Sequence, residues 1–146
     1  MPRGIRSPNL TRHLRGDVVA IDRSLAMLEQ ARLAAPNATF LLGDALALPV
    51  TNGNFDRVFA SHFYGHLEEG DRGRFLSEAR RVARELVVVD SSREGAEQDE
   101  AWQERVLNDG SRWKVYKRWF TPAVLAAELG GGETLLAGRW FVAVRA

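Results

Sequence analysis

Apolar positions in this chain come in short unbroken runs, separated by stretches in which they recur every three to four residues. Asp17 to Asp22 (DVVAID) is an apolar run closed by an acid. From Ser24 to Ala35, Leu25, Leu28 and Ala31 share a stripe behind a capping serine, which predicts a strand followed by a helix. Pro36 and Asn37 stop that helix, and Ala38 to Leu42 (ATFLL) forms a second run ending in Gly43-Asp44-Ala45. After the turn Asn52-Gly53-Asn54 comes Phe55 to Ser61 (FDRVFAS). A helix with Phe75, Leu76, Ala79, Val82 and Ala83 on its apolar face follows, and then Leu86-Val87-Val88-Val89-Asp90. Runs of β-branched residues without alternation belong to strands covered on both faces, so the pattern predicts an α/β fold with a doubly wound, mostly parallel sheet.

The last third reads differently. A charged helix is expected from Ala96 to Leu107, and an aromatic and basic segment from Arg112 to Phe120 (RWKVYKRWF). Thr121-Pro122 starts a helix that Gly130-Gly131-Gly132 ends. Glu133 to Ala137 and Trp140 to Arg145 are joined by a link too short for a parallel crossover, which predicts a C-terminal antiparallel hairpin.

The chain has 146 residues, a length suited to one domain spanning 1–146, and its 45% hydrophobic content is too high for a disordered chain. Twenty basic residues against 19 acidic ones leave a net charge of +1, which argues against a dedicated nucleic-acid or membrane-surface protein. The absence of cysteine excludes disulfides, thiolate metal sites and cysteine nucleophiles. No apolar run has the length of a membrane span, and a cytoplasmic location is expected.

In a doubly wound sheet ligands sit beyond the carboxyl ends of the strands, which directs attention to Asp22, Asp44, Ser61 with His62, and Asp90. A carboxylate at such a strand end offers two acceptor oxygens to the two hydroxyls of a ribose, a role suited to Asp22. Asp44 can accept from an exocyclic amine while the Ala45 N–H serves a ring nitrogen, so the two acids would bracket an adenosine. The competing reading for Asp22 is a helix cap. Asp90 is left outside the site, as a polar end to a buried strand. His62 and His66 lack a third ligand, so no metal site is expected.

Four ordered motifs, Asp22-Arg23-Ser24-x-x-Met27-Leu28, Gly43-Asp44-Ala45-x-x-Leu48-Pro49, Phe55-Asp56-x-Val58 and Leu86-Val87-Val88-Val89-Asp90, resemble the class I S-adenosylmethionine (SAM)-dependent methyltransferases. The resemblance implies a Rossmann-like fold, SAM as cofactor and methyl transfer to a small-molecule substrate. It places Asp22 on the ribose and Asp44 on the adenine amine. Arg23, Met27, Ala45 and Leu46 lie around them, and Ser61 and His62 lie beneath the methionyl part. His66 and Tyr64 would face the substrate as catalytic residues. Residues 96–120, with Trp102, Trp113 and Tyr116, would form a lid lining an apolar pocket.

One departure concerns the start of the chain. Residues 1–16 match a remnant of the first helix, and the family's first strand and glycine-rich loop have no counterpart ahead of Asp22. An N-terminally truncated domain is expected, with open strand edges that favour a homo-oligomer. The alternative function is a catalytically inactive, methyltransferase-like binding or assembly module.

Overall fold

A computed structural model describes residues 11–146. Most of the segment assigned to a first-helix remnant, residues 1–10, lies outside the described residues. Within the remainder of it, the Leu14 N–H donates to the Thr11 carbonyl in a single turn.

Strand β1 (Val19–Asp22) leads through Ser24 into helix α1 (Leu25–Ala34), and β2 (Thr39–Leu42) returns parallel to β1 with Asp22 opposite Leu42. Ser24 begins α1 as the sequence suggests, its Oγ accepting the Met27 N–H at 3.3 Å. Strand β3 (Phe55–Ser61) is followed by a 3-10 turn (Tyr64–His66), helix α2 (Glu69–Val82) and strand β4 (Ala83–Ser91), which runs parallel to β3. Phe75, Ala79 and Val82 of α2 are buried against this sheet.

The region after β4 corrects the expected helix over Ala96–Leu107. Strands β5 (Glu100–Val106) and β6 (Arg112–Arg118) form an antiparallel hairpin, Glu100 opposite Arg118 and Val106 opposite Arg112. Burial alternates residue by residue along β5, a period of two that the charged composition disguises. Asn108-Asp109-Gly110 closes the hairpin, with Gly110 at φ 82° and Asp109 accepting the Ser111 N–H. Helix α3 (Pro122–Glu128) starts on the Thr121 cap. Then β7 (Glu133–Ala137) and β8 (Phe141–Arg145) pair antiparallel, with β8 docked on β4.

The mostly parallel sheet is also corrected. Pairing is mixed, in the orders β1-β2, β3-β4-β8-β7 and β5-β6, and among the described residues no strand joins β1 to β3. Two short links, 107–111 and 138–140, each force an antiparallel pair, and β8 also pairs antiparallel with β4, so three antiparallel ladders outnumber two parallel ones. The main core lies under β3, β4 and β8 and includes Ala60, Leu86, Val88, Val142 and Val144 of the sheet with Phe75, Phe120, Leu125 and Leu129. No described helix is long and apolar enough to cross a membrane.

Candidate functional site

The carboxyl ends of β1 and β2 bring Asp22 and Asp44 together. The Gly43 N–H donates to the Asp22 carbonyl at 3.0 Å, and the chain then folds back so closely that a Cβ on Gly43 would lie 2.7 Å from Pro49 Cγ. Asp22 is buried and its Oδ1 accepts the Ser24 N–H at 2.8 Å, so the helix-cap reading describes one oxygen of the carboxylate. Asp44 Oδ1 accepts the Leu46 N–H at 2.9 Å, and Oδ2 lies 3.9 Å from Arg23 Nη1. Asp22 Oδ2 and the Ala45 N–H have no hydrogen-bond partner among the described residues. Two carboxylates with acceptor capacity in reserve and an adjacent free amide form the donor and acceptor set an adenosine requires. Met27, on the first turn of α1, is half-buried, and Ala45 and Leu46 pack against the main core.

Ser61 ends β3 and is buried. His62 follows at φ 52°, the sole described non-glycine residue with positive φ. Its N–H donates to the Val89 carbonyl at 2.9 Å, and its ring meets Phe141 edge-on at 4.9 Å. A backbone strained at the carboxyl end of a strand, held on both sides, is the kind of local cost that recurs where a binding surface needs a sharp turn.

The 3-10 turn carries the two residues expected to face a substrate, and they differ. Tyr64 is fully buried and its hydroxyl donates to Glu128 Oε2 at 3.1 Å. Burial and the Glu128 charge push its pKa far above that of a free phenol, so it is a proton-holding wall residue and not a base at neutral pH. His66 is half-buried, with Nδ1 2.9 Å from the Tyr116 carbonyl. A carbonyl only accepts, so Nδ1 carries the hydrogen. Burial lowers the imidazole's pKa, which leaves Nε2 with its lone pair near neutrality.

Beside Tyr64 opens a cavity of about 540 Å³ between α2, the hairpin and α3. Tyr116 lines it, whereas Trp102 and Trp113 are exposed and lie outside it, and the lining is charged where an apolar pocket is expected. Arg72, buried, reaches Glu128 at 3.3 Å and donates to the Leu67 carbonyl. Arg118 donates to Glu128 at 2.5 Å and to Glu100 at 3.1 Å, and the Tyr116 hydroxyl donates to Glu100 at 2.5 Å. Hydrogen bonding from Tyr116 holds Glu100 below its ordinary pKa, and burial raises that of Tyr116. Arg118 Nε is buried with no partner among the described residues.

Composition and spacing pass over a buried ion pair next to the 3-10 turn. Asp90, set aside in the sequence, is completely buried and accepts from Lys117 Nζ at 2.7 Å and from the Gly65 N–H at 2.7 Å. Lys117, part of the aromatic and basic segment, is itself buried. The usable signal was an acid closing an apolar run, because a carboxylate buried at that point requires a cation.

Residues 3–98, more than half of the chain, match the profile of a family described as "Methyltransferase domain". The demethylmenaquinone methyltransferases of Renibacterium salmoninarum and Beutenbergia cavernae are 38% and 37% identical over 79 residues. Those residues are 52% of this chain and 32% of each relative, so the chain spans about a third of the length of the curated relatives it matches. Among solved structures, the DhpI–SAH complex superposes with a TM-score of 0.74 at 20% identity, over 99% of this chain and 71% of that one. A SAM-dependent methyltransferase from Aquifex aeolicus gives 0.62 at 21% identity, over 90% and 68%. At these identities the likeness is one of fold.

Proposed function

Since this chain belongs to the methyltransferase-domain family, we propose that it binds SAM at the ends of β1 and β2 and transfers the methyl group to a small-molecule acceptor. The observation that carries the reading is the pair Asp22, at the end of β1, and Asp44, two residues past the end of β2, each with acceptor capacity left beyond its local bond. Asp22 binds the ribose hydroxyls, and Asp44 with the Ala45 N–H binds the adenine edge. Arg23 orients Asp44, Met27 and Leu46 pack on the rings, and Ser61 and His62 support the amino-acid end.

When bound there, SAM supplies a methyl group on a positive sulfur, reactive enough that alignment is the chief requirement on the protein. His66, which does not line the charged cavity beside Tyr64, takes at Nε2 the proton that an O–H or N–H acceptor loses, and the cavity seats a remote part of the acceptor. Residues 96–120, with the hairpin β5–β6 at their centre, cover it. The demethylmenaquinone methyltransferases among the relatives agree with a small-molecule acceptor.

Titration calorimetry with SAM tests the reading on the unmodified chain. A saturable heat that competing S-adenosylhomocysteine abolishes is expected. No heat at millimolar SAM would overturn the cofactor assignment in favour of a non-catalytic binding module.

A further inference from the structure

We infer that Asp90 and Lys117 are positioning residues that fix the orientation and tautomer of His66, an inference that rests on His66 being the proton acceptor proposed above. The hydrogen bond from His66 Nδ1 to the Tyr116 carbonyl joins two separate elements, the 3-10 turn and β6. On the turn, the residue before His66 is Gly65, and its N–H is held by Asp90 Oδ2 at 2.7 Å. On the strand, the residue after Tyr116 is Lys117, and its ammonium is held by Asp90 Oδ1 at 2.7 Å. One carboxylate therefore grips both sides of the His66 bond at the adjoining residue. Asp90 is itself fixed from the sheet by the Ser91 N–H at 2.8 Å.

Gly65 makes the fit tight. A Cβ there would lie 2.7 Å from both the Arg118 carbonyl oxygen and Asp90 Oδ1, so any side chain pushes the turn away from β6. Stability alone does not account for the pair, because a buried ion pair replaced by apolar groups of similar volume is often neutral or stabilising. What an ion pair adds over an apolar contact is direction, and here the direction serves a ring whose Nε2 must stay bare. The charged groups facing His66 are Lys117 from β6, Asp90 from β4 and Arg105 from β5. The two cations favour the neutral ring and the carboxylate opposes them.

The base of the hairpin is tied independently of this pair. The Trp119 N–H donates to Asp99, the Phe120 N–H to Ser91 and the Arg93 N–H to Phe120. Releasing the pair thus loosens the His66 contact while the hairpin stays attached.

The test is the nitrogen NMR spectrum of the His66 ring, followed against pH, in the unmodified protein, in the double variant Asp90→Asn/Lys117→Met and in Gly65→Ala. The double variant removes both charges and strands neither. Gly65→Ala keeps the charges and displaces the turn, which covers the case in which the double variant does not fold. The unmodified ring is expected in one neutral form, protonated at Nδ1. Either variant is expected to show a mixture of tautomers and a titration moved up toward the ordinary imidazole value. A ring with unchanged tautomer and titration in the variants would overturn the positioning role. These signals need no turnover, so the two readings fail separately. Altered rings in a protein that transfers no methyl group would sustain the positioning and remove the proposed chemistry. Unaltered rings in an active protein would do the reverse.

Discussion

Two sheets of the fold, β1-β2 and β3-β4-β8-β7, are built to different standards, the first a thin end and the second a dense one. Around β1, α1 and β2 the strands have four residues each, and from Val19 to Leu42 just Asp22, Leu28 and Ala35 are buried, while Leu25, Leu33 and Leu42 stand largely in solvent. Around β3, β4 and β8 nearly every inward side chain is buried and belongs to one continuous cluster. Asp22 and Asp44, the acids proposed to hold the adenosine, ride on the thin end, and His66 sits on the dense end. A ligand recognised through carboxylate oxygens and a free amide adds its own contacts to a thin support and stabilises it by binding. A proton acceptor needs its geometry before substrate arrives, which requires neighbours that cannot move. The ends communicate through α2: Glu78 accepts the Leu48 N–H at 2.7 Å, and Arg81 donates to the carbonyls of Leu48 and Val50 at 3.0 and 2.9 Å.

The sharpest way to break this contrast is to remove one charge from the dense end. Lys117→Met leaves the Asp90 carboxylate buried without its cation and is expected to cost about 3–5 kcal/mol, read from urea or thermal unfolding. Removing Asp90's charge in the same chain should restore most of that loss. A single variant destabilised by less than about 1 kcal/mol would mean that Asp90 takes up a proton or water and that the dense end is looser than its burial implies.

At the thin end the expected effect is on ligand and less on fold. Asp22→Ala should weaken SAM binding by about 1–3 kcal/mol, measured by calorimetry, because a charged acceptor is lost from hydroxyls that remain desolvated. Its Oδ1 also caps the chain at Ser24, so a small loss of stability accompanies it. Unchanged affinity would separate Asp22 from the cofactor altogether.

The contrast also explains what could be read from the residues. Asp22, Asp44 and the strands preceding them were legible because strand-end acids after apolar runs are a local pattern, and local patterns survive in sequence. The mixed pairing was less so: Glu100 to Val106 carries four polar residues in seven, and its period of two shows as a strand only with the Asp109-Gly110 turn and its partner β6 in view. Asp90 was read as a polar end to a buried strand, which its burial fits, but its partner Lys117 lies 27 residues away on an element whose position nothing local announces. Tyr64 was expected to face a substrate. Its commitment to Glu128, 64 residues on, is a tertiary fact.

The smallest expected effect concerns pH and His66. Burial, with Lys117 and Arg105, lowers the imidazole's pKa in the folded protein, against the Tyr116 bond and the Asp90 charge. Between the lowered folded value and the ordinary one near 6.5, the unfolded chain holds a proton on this ring and the folded chain does not. Unfolding therefore takes up a proton in that window, and stability rises with pH through it. The contribution is fully present above the unfolded value and is lost as pH falls toward the folded one. His66→Asn places an amide N–H near the position of Nδ1, so the Tyr116 bond can persist while the titration disappears. Melting curves between about pH 7.5 and 5.5 should fall less steeply with acidification in the variant, since every other group contributes equally to both chains. The loss should also be local. On acidification amide exchange should quicken first at the Gly65–Leu67 turn and in β6, where the charged ring would repel Lys117 and Arg105, and β1 and β2 should change no more than in the variant. Equal slopes in the two proteins, or a loss that begins at β1, would mean that His66 is not held neutral by the dense end, and the difference between the two ends would then be one of burial alone.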